Sequence, residues 1–185
     1  MRKKYKILTV PVVFLLISSI VFFSGCIGDD DEDLDIQEFT FFEDFYEDDG
    51  DFEFNERGDE FTDDEAIYFK FEVTGLAIED DEASVRRYIN LTCPNGNQLW
   101  EDFGSYTAPG DGADILTLKM DVIEDEEGEF SPTNEIPPFE ELEERGEITE
   151  DDIIMGEEYT ITITIEDLHT EEVTTREETF VLTDD

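Results

Sequence analysis

The sequence predicts an all-β fold, an antiparallel β-sandwich, and three observations lead to this prediction. Apolar and polar residues alternate along several segments of strand length, as they do in strands that bury one face. Turn signals separate these segments, and the strongest of them is Asn95-Gly96, which supplies the positive φ angles of a tight hairpin. No segment shows the long apolar periodicity of an amphipathic helix, so the strands have to pack against each other.

The first half of the sandwich is predicted from two strands and a turn. Residues 66–74 alternate strictly and end at Gly75, with four apolar side chains on one face: Ile67, Phe69, Phe71 and Val73. Residues 85–93 form a second strand, and the turn over residues 94–97 follows it directly. A return strand is therefore expected to begin at Gln98.

The second half is predicted from three further segments. Residues 114–122 place Leu116, Leu118, Met120 and Val122 in phase. Residues 159–165 give the clearest pattern, in which one Tyr and three Ile alternate with three Thr. A turn over residues 166–170 then leads into a last strand over residues 173–183.

Two regions do not follow this simple pattern. Residues 34–62 mix acidic residues with many aromatic ones, which indicates an edge hairpin that turns at Asp48-Asp49-Gly50 with Phe52 and Phe54 facing inward. The alternative is a mobile acidic segment that captures a partner. Residues 124–156 contain three prolines and one or two helical turns at residues 139–145, and so long a connection is usually functional or flexible.

The amino terminus has the order of an export signal. Basic residues precede an apolar run over residues 7–23, and Ser24-Gly25-Cys26 follows at once. This order resembles the lipobox of prokaryotic lipoproteins, which implies that Cys26 is lipidated and becomes the first residue of the mature chain. The alternative is an uncleaved membrane anchor, and both readings place the rest of the chain outside the membrane. The predicted plan is a signal peptide over residues 1–25, an acidic, Phe-rich tether with the edge hairpin over residues 26–62, and the sandwich over residues 63–185.

The charge of the chain restricts its partners and its solvent. The sequence has 54 acidic and 11 basic residues, a net charge of -43, so nucleic acid is excluded as a partner because its phosphates would be repelled. A surface dense in carboxylates stays hydrated in molar salt, where the Debye length is about 3 Å and self-repulsion is screened. The acidic residues after Cys26 also resemble the tethers of archaeal surface lipoproteins. We therefore expect a halophilic archaeal source, with a mesophile that loads its surface with divalent cations as the alternative.

Residues 156–167 read Gly-Glu-Glu-Tyr-Thr-Ile-Thr-Ile-Thr-Ile-Glu-Asp. They resemble the closing strand of Ig-like sandwiches, in particular the polycystic-kidney-disease-type (PKD) domains of archaeal surfaces, and Trp100-Glu-Asp-Phe103-Gly104-Ser105 echoes a second PKD motif. The resemblance covers residues 60–183. It implies an Ig-like sandwich in which the Tyr159 hydroxyl ties the loop before its strand to the backbone. Adhesive, spacer and binding roles are usual for such domains.

Three kinds of modification or ligand site are predicted from single motifs. Asn90-Leu91-Thr92 is an N-glycosylation sequon, and Asn90 lies on the opposite face of its strand from apolar Leu91, hence outward. Cys93 is in phase with the apolar face, so it is expected to be a buried, inert thiol. Calcium is the one candidate cofactor, and carboxylates in loops would bind it. Its candidate ligands are Asp48, Asp49 and Asp51, or Asp111 and Asp114.

No catalytic residue is assigned, because the sequence has no nucleophile elbow, phosphate loop, Rossmann fingerprint or His-Glu-x-x-His motif. The prediction is a non-catalytic, monomeric extracellular lipoprotein, held at the membrane through Cys26. It would act as a binding, adhesive or spacer module whose partner is an extracellular protein or glycan. A calcium-dependent binding module is the alternative, and a secreted hydrolase with a carboxylate pair is a remote one.

Overall fold

The computed structural model describes residues 33–48, 51–110, 115–124 and 130–184. These residues form two five-stranded sheets that pack face to face, together with a two-stranded hairpin, a short helix and a 3-10 turn. They belong to one compact unit, Asp31–Asp185. The predicted all-β sandwich is therefore confirmed.

The elements follow one another closely along the chain. The strands are β1 Asp35–Asp48, β2 Asp51–Glu56, β3 Glu60–Phe61, β4 Ile67–Ala77, β5 Glu82–Thr92, β6 Gln98–Pro109, β7 Ile115–Met120, β8 Val122–Glu124, β9 Phe130–Pro132, β10 Glu135–Ile136, β11 Glu158–Asp167 and β12 Val173–Leu182. The helix α1 is Phe139–Glu144, and the 3-10 turn is Glu150–Asp152.

The first sheet is built around β4, which pairs with β1 along one edge and with β10 and β7 along the other. β2 lies outside β1 and forms an edge of this sheet. The second sheet has the order β3-β12-β11-β5-β6. Its pairs are antiparallel except for the short parallel contact between β3 and β12.

The core between the sheets is formed by the apolar faces that the alternation predicts. Ile161, Ile163 and Ile165 of β11 are buried, and the Thr residues between them lie on the other face. Aromatic rings fill the space at one end, where Phe180 stacks on Tyr159 with ring centroids 5.4 Å apart. Fully burying each such side chain is worth about 1.5–3 kcal/mol, so the sandwich has a substantial core without any disulfide.

The amino-terminal hairpin is present, but two of its aromatic residues face the other way. β1 and β2 pair as predicted up to Asp48 opposite Asp51, and the turn residues 49 and 50 lie outside the described residues. The prediction that Phe52 and Phe54 face inward is wrong, because they pack against Phe45 on the outer face of the sheet. The register is the cause: Glu56 pairs with Phe42, which faces outward, and Phe52 and Phe54 alternate in phase with Glu56. A bulge in β1 brings Phe45 to the same outer face.

The boundary of the folded unit also differs from the predicted plan. The sequence predicts a tether with an edge hairpin over residues 26–62 and a sandwich that begins at residue 63. In the structure β1 is an interior strand between β4 and β2, and β3 joins β12 in the second sheet. Residues 35–61 thus supply strands to both sheets of the sandwich, because their aromatic side chains need those sheets for burial.

The connection between β7 and β11 is folded onto the sandwich where it is described. The strand predicted over residues 114–122 stops at Met120, and Asp121 separates it from β8 by accepting a hydrogen bond from the Val122 backbone N–H at 2.7 Å. Helix α1 confirms the predicted helical turns. Its Phe139 is fully buried, with its ring 5.1 Å from that of Tyr159.

Candidate functional site

A shallow groove lies on the outer face of the second sheet. Ile89 and Leu91 of β5 point into the core, so the alternate residues Tyr88 and Asn90 point outward. On β6, Phe103 pairs with Tyr88 and Glu101 pairs with Asn90. The groove encloses about 280 Å³. We call it the Tyr88–Phe103 groove, and its lining residues are Tyr88, Asn90, Glu101, Asp102 and Phe103.

The Tyr88–Phe103 groove presents apolar rings and carboxylates side by side. The two ring centroids are 5.1 Å apart, and the residues are 37% and 57% exposed. Exposed aromatic pairs of this kind mark interaction surfaces. The nearby carboxylate of Glu101 accepts hydrogen bonds and repels anions, so the groove suits a neutral or cationic group with hydroxyl or amine donors.

A second groove lies on the outer face of the first sheet. Phe42 pairs with Tyr68, the outward neighbour of the core residue Phe69, and their rings stack with centroids 5.8 Å apart. Phe54 packs on Phe42 at 5.1 Å. The resulting cavity of about 250 Å³ is called the Phe42 groove, and its lining residues are Phe42, Glu43, Asp44, Phe45, Tyr68 and Pro132. Burial raises the pKa of the Tyr68 hydroxyl, and the charge of Glu135 adds to this effect.

A buried arginine connects the two sheets behind the Tyr88–Phe103 groove. Arg87 of β5 is 3% exposed and forms an ion pair with Asp102 of β6. Its guanidinium also donates to the Asn134 side-chain oxygen at 2.5 Å and to the Thr133 carbonyl. Asn134 in turn donates to the Met120 carbonyl at 2.6 Å and to the Phe69 carbonyl at 3.1 Å, both in the first sheet. This network therefore ties β5 to β4 and β7.

Burial and neighbouring charges act in opposite directions on this arginine. Desolvation lowers the pKa of the Arg87 guanidinium, while Tyr106 and Asp102 oppose that change. The Tyr106 ring centroid lies 5.2 Å from the guanidinium carbon. Gly104 makes room for this ring, because a Cβ atom at that position would lie 2.8 Å from a ring carbon of Tyr106.

Tyr159 has the corner role that the Ig-like resemblance implies. Its hydroxyl donates to the Asp152 carbonyl at 2.9 Å and accepts from the Ile154 backbone N–H at 2.6 Å. The loop before β11 is thereby fastened to the first residues of that strand. Burial raises the pKa of the Tyr159 hydroxyl, which keeps it protonated and able to donate.

Replacing Tyr159 with Phe is expected to lower the free energy of unfolding by about 1–3 kcal/mol, because both backbone groups lose their partner. The measurement is chemical denaturation in molar salt. Tyr46→Phe is the control, since the Tyr46 hydroxyl bonds Glu53 at the surface and its loss should leave the free energy of unfolding nearly unchanged. Equal losses in the two variants would contradict the corner role.

Asp167 is a second polar tie between the sheets. It is 1% exposed, and its Oδ2 atom accepts from the Ala77 backbone N–H at the end of β4, 2.7 Å away. Its Oδ1 atom accepts from the backbone N–H groups of His169 and Thr170 in the turn after β11. The carboxylate thus holds β4 against the β11–β12 turn. Among the described residues it is the one acid that is buried.

The predicted site residues are distributed over different parts of the molecule. Asn90 lies in the Tyr88–Phe103 groove, half-buried, with its side chain outward as expected. Cys93 is a buried free cysteine, as predicted, and its thiol lies 2.6 Å from the Asn95 side-chain oxygen. Asp48 and Asp51 face each other at the end of the β1–β2 hairpin. The lipidation residue Cys26 and the calcium candidates Asp49, Asp111 and Asp114 lie outside the described residues.

The described residues contain neither a cluster of metal ligands nor a membrane-spanning helix. In the described ranges, no three His, Cys, Asp or Glu side chains are grouped so that they could hold a metal ion. None of the helices described is long and apolar enough to cross a bilayer.

The buried polar contacts between the sheets could be predicted only in part from the sequence. Arg87 falls in phase with an apolar face, which signals a buried charge that needs a partner. Its partners could not be identified from the sequence, because Asn134 lies 47 residues away in an irregular connection and Asp102 becomes a neighbour only through the pairing of β5 with β6. Phe103 likewise became recognisable as a groove residue only from its pairing with Tyr88.

Comparison with known proteins gives only distant structural similarity. No family model and no curated protein matches the chain. A crystal structure of a Bacteroides uniformis β-glucuronidase is similar with a TM-score of 0.39 and 7% sequence identity, over 77% of this chain and 13% of that one. Bacteroides uniformis β-glucuronidase 2, covalently bound to cyclophellitol-6-carboxylate aziridine, is similar with a TM-score of 0.37 and 9% identity, over the same shares of the two chains.

Proposed function

We propose that the chain is a non-catalytic surface lipoprotein of a halophilic archaeon. Its sandwich stands outside the cell, is held at the membrane by lipid on Cys26, and serves as a binding, adhesive or spacer module. The acidic surface keeps this module hydrated and monomeric in molar salt.

The observation that carries the proposal is that the core is apolar and the acidic side chains lie on the surface. The buried residues of the sandwich are apolar, apart from the polar ties made by Arg87, Asn134 and Asp167. Nearly all described acids therefore face solvent on a chain with a net charge of -43. In dilute buffer such a surface repels itself, whereas molar salt reduces the range of the repulsion to about 3 Å. The fold and its charge thus suit an exported protein in brine.

The Phe42 groove is the surface that we assign to an extracellular partner. It places the half-buried aromatic rings of Phe45 and Tyr68, with fully buried Phe42 beneath them, beside the carboxylates of Glu43 and Asp44. Rings of this kind cover the apolar face of a sugar or an apolar side chain, and the carboxylates accept hydrogen bonds from hydroxyl or amine groups. The partner is therefore a neutral glycan or a protein surface without excess negative charge.

A calcium-dependent module is the second candidate, because of the hairpin end. Asp48 and Asp51 are paired across β1 and β2, so two carboxylates lie at one tip. Calcium needs six to eight oxygen ligands, and acidic loop residues are its usual source. Calcium in this role would order the hairpin and the adjacent Phe42 groove.

Replacing Cys26 with Ser in the full-length chain is expected to abolish lipidation and to release the protein from the membrane. The measurements are detergent-phase partitioning and intact mass of the protein made in a halophilic host, with protease treatment of whole cells to show exposure. Cys93→Ser is the matched control, because Cys93 is buried in the sandwich and should leave partitioning unchanged. A wild-type protein that keeps its amino-terminal segment, with Cys26→Ser equally membrane-bound, would contradict the lipid anchor.

A further inference from the structure

Asn90 is placed as a modification site on an open sheet face. The sequon Asn90-Leu91-Thr92 lies within β5, where buried Leu91 forces its two neighbours outward. Asn90 pairs with Thr162 of β11 and Glu101 of β6, which puts it in the interior of the sheet. Within the described part of the chain, its carboxamide makes no hydrogen bond that would compete with modification.

The same face has an aromatic surface next to this asparagine on which a sugar ring can stack. Tyr88 precedes Asn90 by two residues on the same side of the strand, a separation of roughly 6.6 Å along the strand, about the length of one pyranose ring. Phe103 pairs with Tyr88 and extends the aromatic surface across β6. An exposed ring pair in the middle of a polar sheet face is otherwise an unfavourable feature in water, and more so in molar salt.

The chemistry of the groove defines which sugar fits. The C–H face of a pyranose is apolar and covers an aromatic ring, while its hydroxyl groups donate to the carboxylate of Glu101. An acidic sugar would be repelled by this carboxylate. A covalent link to Asn90 also makes the contact intramolecular, so a weak stacking interaction is populated without high free sugar concentration.

We propose that Asn90 carries an N-linked glycan whose first sugar, a neutral pyranose, lies in the Tyr88–Phe103 groove and covers both rings. The glycan then shields the outer face of the second sheet, and the Phe42 groove on the first sheet stays open for the partner. This inference rests on the proposed export of the domain, because only an exported chain reaches the outer surface on which the glycan is displayed.

The test compares four full-length proteins made in an N-glycosylating halophilic host: wild type, Thr92→Ala, Phe103→Ser, and the double variant. Thr92→Ala removes the sequon and leaves Asn90 in place. Intact mass reports occupancy of Asn90, and thermal melts report stability. We expect the glycan to raise the melting midpoint of the wild type by about 3–6 °C relative to Thr92→Ala. We expect a change near zero when Phe103 is Ser.

Two further measurements keep the test decisive. Tyr46→Ser, at another exposed aromatic on the first sheet, is the control and should preserve the full effect of the glycan. NMR contacts between Phe103 ring protons and sugar C–H protons should be present in the wild type. An occupied Asn90 whose glycan stabilises the protein equally with and without Phe103, and shows no such contacts, would overturn the inference. An empty Asn90 on protein that surface protease reaches would overturn it and leave the proposed function intact, whereas protein retained inside the cell would overturn both.

Discussion

Replacing Arg87 with Met is expected to lower the free energy of unfolding by about 3 kcal/mol, near the lower end of what is measured when one partner of a buried ion pair is removed. The substitution keeps the apolar volume but leaves the Asn134 side-chain oxygen and the Thr133 carbonyl without their donor. Asp102 is 41% exposed, so water solvates part of its charge and limits the loss. Urea denaturation in molar salt measures the change.

Arg86→Met is the matched control for this prediction. Arg86 is the next residue on β5 and also forms an ion pair, donating to Glu166 at 2.7 Å. That pair lies on the outer face with both side chains partly exposed, so its removal should cost much less than the loss of the Arg87 network. Similar losses in the two variants would show that the buried network does not hold the sheets together.

Replacing Asp167 with Ala is expected to cost about 3 kcal/mol, because three backbone N–H groups lose a charged acceptor. They belong to Ala77, His169 and Thr170, so the change releases both the end of β4 and the β11–β12 turn. Asp167→Asn keeps one side-chain oxygen and should lose about half as much. The measurement is again urea denaturation, combined with amide hydrogen exchange at Ala77.

The control for Asp167 is its neighbour on the outer face of β11. Glu166→Ala removes an acid whose side chain, among the described residues, bonds only Arg86, and we expect a loss of about 1 kcal/mol or less. Fast exchange at Ala77 should appear in Asp167→Ala and not in Glu166→Ala. If Asp167→Ala were as stable as Glu166→Ala, the tie between β4 and the turn would have no energetic role.

The strand pattern of the sandwich could be predicted because alternation reports directly on burial. β4, β5 and β11 each place their apolar residues on one face, and Asn95-Gly96 forms the expected turn with Gly96 at a φ of 87°. The corner role of Tyr159 followed from the Ig-like resemblance. These features are local, or depend on a single motif.

The features that escaped prediction depend on register between distant segments. Phe52 and Phe54 alternate just as a core-facing strand does, and only the register that pairs Glu56 with outward-facing Phe42 shows that they lie on the outer face. Asn134 lies 47 residues from Arg87, in a connection with no regular pattern, so nothing in its neighbourhood identifies it as the arginine's partner. The Tyr88–Phe103 groove likewise requires the pairing of β5 with β6.

The most direct test of the whole account is the salt dependence of folding of residues 28–185. Circular dichroism and thermal melts are recorded while NaCl or KCl is raised to molar concentration, and separately with millimolar CaCl2 or MgCl2. We expect a cooperative β-type melt whose midpoint rises with either monovalent salt and is lost in dilute buffer. Rescue by millimolar Ca2+ and not by Mg2+ would instead favour the calcium-dependent module. A cooperative melt with the same midpoint in dilute buffer would contradict the salt-adapted sandwich.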